Sequence, residues 1–303
     1  LGHVALSAEG SLSFDFPGFK VGSAVDPAGP TGCTVFRFDR PLLGAIDVRG
    51  GFPALRDTQN LELDSGDGLA NALVLAGGST HGLRCASGVM DEILRARGGS
   101  VRFSDIPCVP AAVVYDYFHR KNAVIPTEEL ASRAYRDAEQ NRVDLGQAGA
   151  GANVYAGKVY GREGAGRSGQ GAAFLEKKGT KVFALTILNA YGNILDRQGR
   201  LLCGQLGAPG DEGPQTGNTT LTVVIVNTSL DRVALRRLAI MAHTSMARVI
   251  EPFHTPLDGD TLFFLSTGNP DSAASGEPSP NLLEVGALAS RAAQDAVLSV
   301  YRH

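Results

Sequence analysis

Eight residues of unbroken β propensity, Thr219-Thr220-Leu221-Thr222-Val223-Val224-Ile225-Val226, constrain the fold of this chain more than any other stretch. β-Branched side chains are stiff at χ1 and pack well on a pleated surface. The alternation of Leu221, Val223 and Ile225 predicts a strand with a buried face. Upstream, residues 207–217 combine glycine and proline turn signals with no apolar period and predict a flexible loop. The Asn218–Thr219 step therefore sits where a loop meets a rigid element.

Strand and helix periods alternate along the rest of the chain. Short β-like runs at residues 33–38 and 43–48 lie among turn signals such as Gly29-Pro30-Thr31-Gly32 and Gly50-Gly51-Phe52-Pro53. Leu83, Ala86, Met90, Ile93 and Leu94 form an apolar stripe that predicts a helix from His81 to Ala96, stopped by Gly98-Gly99. Thr127 ahead of Glu128 and Glu129 predicts a capped helix start. A strand is expected at 111–115, and Lys177-Lys178-Gly179-Thr180 suits a hairpin whose second strand ends at Asn189. Helices are expected over 230–247, with Leu230, Ala234, Leu238 and Met241 inward, and over 281–300, with a strand at 261–266 between them. Such switching favours sheets covered by helices and leaves strand order open.

Composition narrows the partners. With 43% hydrophobic residues, a chain of 303 can bury one large core or two smaller ones. A formal charge of -3 offers no general attraction for nucleic acid or an anionic membrane, and neither is expected as a partner. Arg95/Arg97 and Lys177/Lys178/Lys181 suit solvated faces. Cys33, Cys85, Cys108 and Cys203 are too scattered for a CxxC zinc array and predict buried free thiols. His243 and His254 lack metal-ligand spacing, and residues 146–152 lack the GK[ST] ending of a P-loop, so no metal or other cofactor is expected. Without a signal sequence or a long apolar segment, a soluble cytoplasmic protein is expected.

Chemistry converges on the loop-to-strand boundary. A hydroxyl is a weak nucleophile near neutral pH unless a base takes its proton, and an N-terminal Thr carries such a base in its own α-amine. The ordinary amine pKa of about 7.7–8.0 leaves a neutral fraction near pH 7. At Thr219 this requires cleavage after Asn218, by attack of the Thr219 hydroxyl on the Asn218 carbonyl and hydrolysis of the ester. The same residues also suit an ordinary loop entering a strand. Asp258-Gly259-Asp260, by itself a solvated turn, puts two carboxylates ahead of a strand; one can orient the Thr219 hydroxyl or amine while the other holds the first. Lys158 can favour the neutral amine, Asn189 can donate its amide to an oxyanion, and Tyr115 can add a hydroxyl contact. A strand-edge lysine, a turn asparagine and a core tyrosine are the structural alternatives.

Gly217-Asn218-Thr219-Thr220-Leu221 together with Asp258-Gly259-Asp260 resembles the L-aminopeptidase/D-esterase family of self-processing N-terminal-nucleophile hydrolases, especially its nylon-oligomer (6-aminohexanoate-oligomer) hydrolase branch. Likeness in Gly51-Phe52-Pro53-Ala54-Leu55-Arg56-Asp57-Thr58, Gly77-Gly78-Ser79-Thr80-His81-Gly82-Leu83 and Asn189-Ala190-Tyr191-Gly192 extends it over nearly the whole chain. The resemblance implies an α/β fold, a four-layer αββα sandwich. It implies one hydrolase domain over residues 1–303, cut into fragments 1–218 and 219–303 that stay associated and assemble into homo-oligomers. Thr219 is the implied nucleophile, Asp258 and Asp260 the orienting acids, Asn189 the oxyanion donor and Lys158 their support, with Tyr115 beside them. The implied activity is hydrolysis of 6-aminohexanoate oligomers or similar linear amides through an acyl-threonine, without a cofactor. A β-peptidyl or L-aminopeptidase/D-amino-acid amidase-esterase activity is the nearest alternative, although related aminopeptidases often use Ser at the new N-terminus where this chain has Thr219 and the acid pair. A noncatalytic small-molecule-binding or assembly protein is the other.

Overall fold

The computed structural model describes residues 10–100, 102–207, 217–269 and 281–301, so most of the loop predicted over 207–217 lies outside the described residues. The main strands are β1 (Phe19–Asp26), β2 (Thr31–Val48), β3 (Leu69–Ala76), β4 (Ala111–Val113), β5 (Gln170–Lys177), β6 (Thr180–Asn189), β7 (Thr219–Val226) and β8 (Thr261–Ser266). The main helices are α1 (Cys85–Ala96), α2 (Glu128–Arg136), α3 (Arg232–Ser245) and α4 (Leu282–Ser299). Hydrogen bonding runs β5-β6-β7-β8-β2-β3-β4, with β1 paired to the first half of β2.

β2 joins the layers. Where the sequence predicts two separate runs, the chain forms one 18-residue strand. Asp39-Arg40-Pro41 is absorbed as an irregularity in the β2–β3 ladder between Arg37 and Leu42, a place where a residue without an N–H is tolerated. The first half of β2 pairs with β1 and β3, the second with β8. The two wings of the sheet face each other across an apolar layer that includes Phe36, Ile46, Leu73, Phe183, Val223 and Phe263. Outside it, α3 and α4 cover Ala184, Val224 and Phe264, while α1 and α2 cover Val35, Val74 and Val113. The result is the αββα order that the resemblance implies.

β7 is buried along its full length rather than on one face. Leu221, Val223 and Ile225 point into the layer between the wings, and Val224 and Val226 point toward α3 and α4. A strand covered on both sides reads as a continuous apolar run. α3 is shorter than predicted: Asp231 caps it by accepting the Ala234 N–H at 2.7 Å, and Leu235, Leu238, Ala239 and Ala242 are its fully buried apolar residues, with the expected Ala234 and Met241 half-buried against the same core. Thr127 caps α2 as the sequence predicts, and Asn281, expected as the first residue of the last helix, caps α4 instead. The helix predicted from His81 opens as a 3-10 turn over Ser79–Arg84 before α1 begins. Lys178 and Gly179 take φ values of 51° and 81°, as a two-residue hairpin turn with matching twist requires. Lys181 is no free surface charge, since it meets Asp15 at 2.7 Å. Cys33, Cys85 and Cys203 are buried free thiols; Cys108 is partly exposed. Among the described residues, no helix is long and apolar enough to cross a membrane.

Candidate active site

Strand register assembles the site. Asn189 at the end of β6 lies opposite Thr219 at the start of β7, and Leu221 of β7 lies beside Thr261 of β8. An isolated bridge pairs Asn218 with Asp258. Three stretches remote in sequence thus meet at one end of neighbouring strands, with Asn189, Thr219, Asp258 and Asp260 all buried.

At the centre, the Thr219 hydroxyl hydrogen-bonds the carbonyl oxygen of Asn218, the residue before it. The Gly259 N–H donates to the same oxygen at 2.9 Å and polarises that carbonyl. Position 259 accepts no side chain, because a Cβ there would stand 2.8 Å from Thr219 Oγ1 and 2.8 Å from the Phe52 carbonyl oxygen. Gly217 is equally constrained: its φ is +83°, and a Cβ would come within 2.6 Å of the Tyr115 ring.

The two acids differ in their surroundings. Asp260 accepts the Thr220 N–H at 2.8 Å and the His254 backbone N–H at 3.1 Å, and it faces His254 Nδ1 at 3.1 Å. Asp258 accepts the Tyr191 N–H at 3.1 Å and the Thr255 hydroxyl. Burial first, and the Asp260 charge second, push Asp258 up to about 6 against those two hydrogen bonds and the charge of Lys158.

Lys158 sits in a short 3-10 turn, Lys158–Tyr160, and is fully buried rather than on a strand edge. Burial brings its ammonium down to about 7, with Asp258 opposing the shift. Near neutral pH this group can therefore both give and take a proton. Its Nζ donates to the carbonyl of Asn189 at 3.1 Å and to Asn189 Oδ1 at 2.8 Å.

Asn189 has its donors engaged in the continuous chain. Its side-chain amide gives hydrogen bonds to the carbonyls of Tyr115 and Gly217, each at 3.1 Å. The segment leading into the Asn218–Thr219 peptide thus occupies the donor that the sequence assigns to an oxyanion. Tyr115 enters through that carbonyl and through its ring, tilted 55° to that of Tyr117 with centroids 5.3 Å apart, where the sequence predicts a hydroxyl contact.

The remaining motifs brace these groups. The Phe52 N–H donates to the Asp258 carbonyl at 2.8 Å, and the Tyr191 carbonyl accepts the Lys158 N–H at 2.8 Å. Gly78 N–H and Arg120 hold the Asp116 carboxylate at 3.0 and 2.6 Å, anchoring the loop that carries Tyr115. Sequence reasoning missed Thr255, the Gly259 N–H and the contact of His254 with Asp260. A backbone donor leaves no side-chain signature, and only the fold of the 254–260 turn brings His254 to the acid. A cavity of about 760 Å³ lined by Asn60, Asn71, Met90, Phe103 and Cys108 contains none of these residues.

The backbone matches solved hydrolases. Burkholderia sp. beta-aminopeptidase aligns over 99% of this chain and 88% of its own, with a TM-score of 0.72 and 17% identity. The L-aminopeptidase D-Ala-esterase/amidase from Ochrobactrum anthropi, a variant of the N-terminal-nucleophile hydrolase fold, aligns over 94% and 84% with a TM-score of 0.71 and 18% identity. The protein is accordingly an amide hydrolase with the N-terminal-nucleophile hydrolase fold. Sequence places it more narrowly: a 6-aminohexanoate-oligomer endohydrolase of Kocuria sp. (strain KY2) is 35% identical over 312 residues, 95% of this chain and 85% of that protein. The chain belongs to Peptidase family S58, whose profile matches residues 14–301.

Proposed function

We propose that the chain cuts its own Asn218–Thr219 bond and that the freed Thr219 hydrolyses 6-aminohexanoate oligomers or similar linear amides. The observation that carries this reading is the Asn218 carbonyl oxygen held between the Thr219 hydroxyl and the Gly259 N–H. In the first step, Thr219 Oγ1 attacks the Asn218 carbonyl carbon while Gly259 stabilises the charge growing on oxygen. Collapse breaks the C–N bond and leaves an ester, which water hydrolyses to the Asn218 carboxylate and a Thr219 bearing a free α-amine. Lys158 near 7 and Asp258 near 6 supply groups that exchange protons close to neutrality.

Cutting changes the site's donors. Departure of the Gly217 carbonyl frees the Asn189 amide for a substrate oxyanion. The α-amine of Thr219 then takes the hydroxyl proton, Oγ1 attacks the substrate amide, the amine portion leaves, and water releases the acyl group. The fragments stay together because β7 and β8, from 219–303, are hydrogen-bonded to β6 and β2 of 1–218. The name of the Kocuria relative supports the substrate class.

Intact mass and amide release test the proposal together. Wild-type protein should yield fragments 1–218 and 219–303, whereas Thr219→Ala should stay whole and inactive. Oligomers with blocked amines should still be cut at internal linkages; a strict need for a free amine would favour the aminopeptidase reading. A whole but active Thr219→Ala chain would refute both the processing and the nucleophile.

A further inference from the structure

A row of groups, buried except for the half-buried His254, stands beside Asp260, and the proposed chemistry leaves it unused. His254 Nδ1 is 3.1 Å from Asp260 Oδ2, and its ring meets that of His243 edge-on with centroids 4.3 Å apart. His243 Nδ1 in turn is 2.9 Å from Asp47 Oδ2. Asp47 also holds Arg49 at 2.6 Å and Arg236 at 3.2 Å. Carboxylate, imidazole, imidazole and carboxylate thus line up from the loop before β8, through α3, to β2.

Geometry dictates the protonation of the row. Each carboxylate accepts, so each Nδ1 carries the hydrogen it donates. The Nε2 atoms of both rings are buried and have no hydrogen-bond partner among the described residues. A second proton on either ring would be a buried donor without an acceptor. Two imidazolium ions at this separation would also repel each other. Burial lowers the His243 pKa, reinforced by His254 and opposed by Asp47 and Asp260. Both rings therefore carry a hydrogen on Nδ1, facing the carboxylates.

His254 also has an unusual backbone. Its φ is 63°, a region that residues other than glycine seldom enter. That bend brings its main-chain N–H and its ring Nδ1 to the same oxygen of Asp260, each at 3.1 Å. With Thr220, three N–H groups converge on Asp260, whereas Asp258 receives one N–H, from Tyr191, and the Thr255 hydroxyl. Lys158 adds its charge to the Asp258 side.

Building on the Thr219 reading, we propose that His254 is a positioning residue whose two N–H groups keep Asp260 the charged member of the acid pair and leave the exchangeable proton on Asp258. The role is not catalytic in itself, since it acts through Asp260. It makes the working pH range of the acid pair depend on a single imidazole tautomer.

Two measurements test this. Ring-nitrogen NMR on the Thr219→Ala chain, which requires no turnover, should show the hydrogen of the neutral His254 ring on Nδ1 at about pH 8. A hydrogen on Nε2 instead would overturn the proposal. The pH profile of kcat/KM is then compared for His254→Asn and His254→Gly. Asn tolerates the positive φ and retains a donor close to Nδ1, while Gly retains the backbone and loses it. The acid limb should stay within about 0.3 pH unit of wild type in His254→Asn and rise by about one unit in His254→Gly, the size of one lost hydrogen bond to a charged group. An unchanged limb in His254→Gly, or equal displacement in both variants, overturns it. Should His254→Gly fail to fold by circular dichroism, the tautomer decides. Failure of the Thr219 reading would show separately, as activity in Thr219→Ala, and would leave the tautomer result standing.

Discussion

Replacing Lys158 by Met should stabilise the folded chain at acid and neutral pH even as it stops self-cleavage. Lys158 is 1% exposed, and its ammonium is lowered from the usual 10.5 to about 7. At about 1.4 kcal/mol per pH unit, placing that charge in the site opposes folding by about 5 kcal/mol below pH 7. Between 7 and 10.5 the unfolded lysine keeps a proton that the folded one has lost, so stability rises with pH across this window and the penalty vanishes above it. Met has a similar reach and no charge, but it loses two hydrogen bonds to Asn189, about 1 kcal/mol each. It also removes the charge that offsets Asp258. The net gain should be about 2 kcal/mol near pH 6 and should fade toward pH 10. Urea unfolding of Thr219→Ala against Thr219→Ala/Lys158→Met, at about pH 6, 8 and 10, compares two uncut chains directly. A double variant less stable than its parent near pH 6, or one with the same pH dependence, would refute the buried-ammonium argument.

Gly259→Ala should slow self-cleavage by at least ~100-fold, because its Cβ would displace Thr219 Oγ1 or the Phe52 carbonyl by several tenths of an ångström. A mass time course checks it, and cutting at the wild-type rate would show that this contact does not set the nucleophile. Asn189→Ala should lower kcat of whatever cut enzyme forms by about 100- to 1000-fold with little change in KM, as loss of an oxyanion donor does. A rise in KM alone would assign Asn189 to ground-state binding instead.

What could be read from sequence was local. The β7 run, the hairpin at Lys178-Gly179 and the cap at Thr127 follow from propensity and short-range hydrogen bonds, and the structure has all of them. The α3 face was ambiguous by one position because Ala234, Leu235, Leu238, Ala239, Met241 and Ala242 offer two adjoining stripes, and packing buries Ala234 and Met241 only by half. The runs at 33–38 and 43–48 read as separate strands, yet the ladder to β3 resumes at Leu42 and joins them in β2. The candidate site was legible as residue types at strand ends, while its assembly depends on the β6–β7–β8 register, which is non-local. Lys158, between Gly157 and Val159, gives no local sign that Asn189 and Tyr191 will enclose it.

The interior position of β7 bears on when activity can arise. Gly259 reaches the Asn218 carbonyl only once β8 has docked between β7 and β2. On the proposed mechanism, a newly made chain that has not completed its sheet holds no free threonine amine, so unfinished molecules cannot attack amide bonds. The same step is one-way. A mature molecule that unfolds becomes two separate peptides, each lacking its neighbours in the sheet, and recovery becomes a bimolecular search in place of a single-chain collapse. The working lifetime of the cut enzyme is then set by how slowly it opens rather than by how well it refolds.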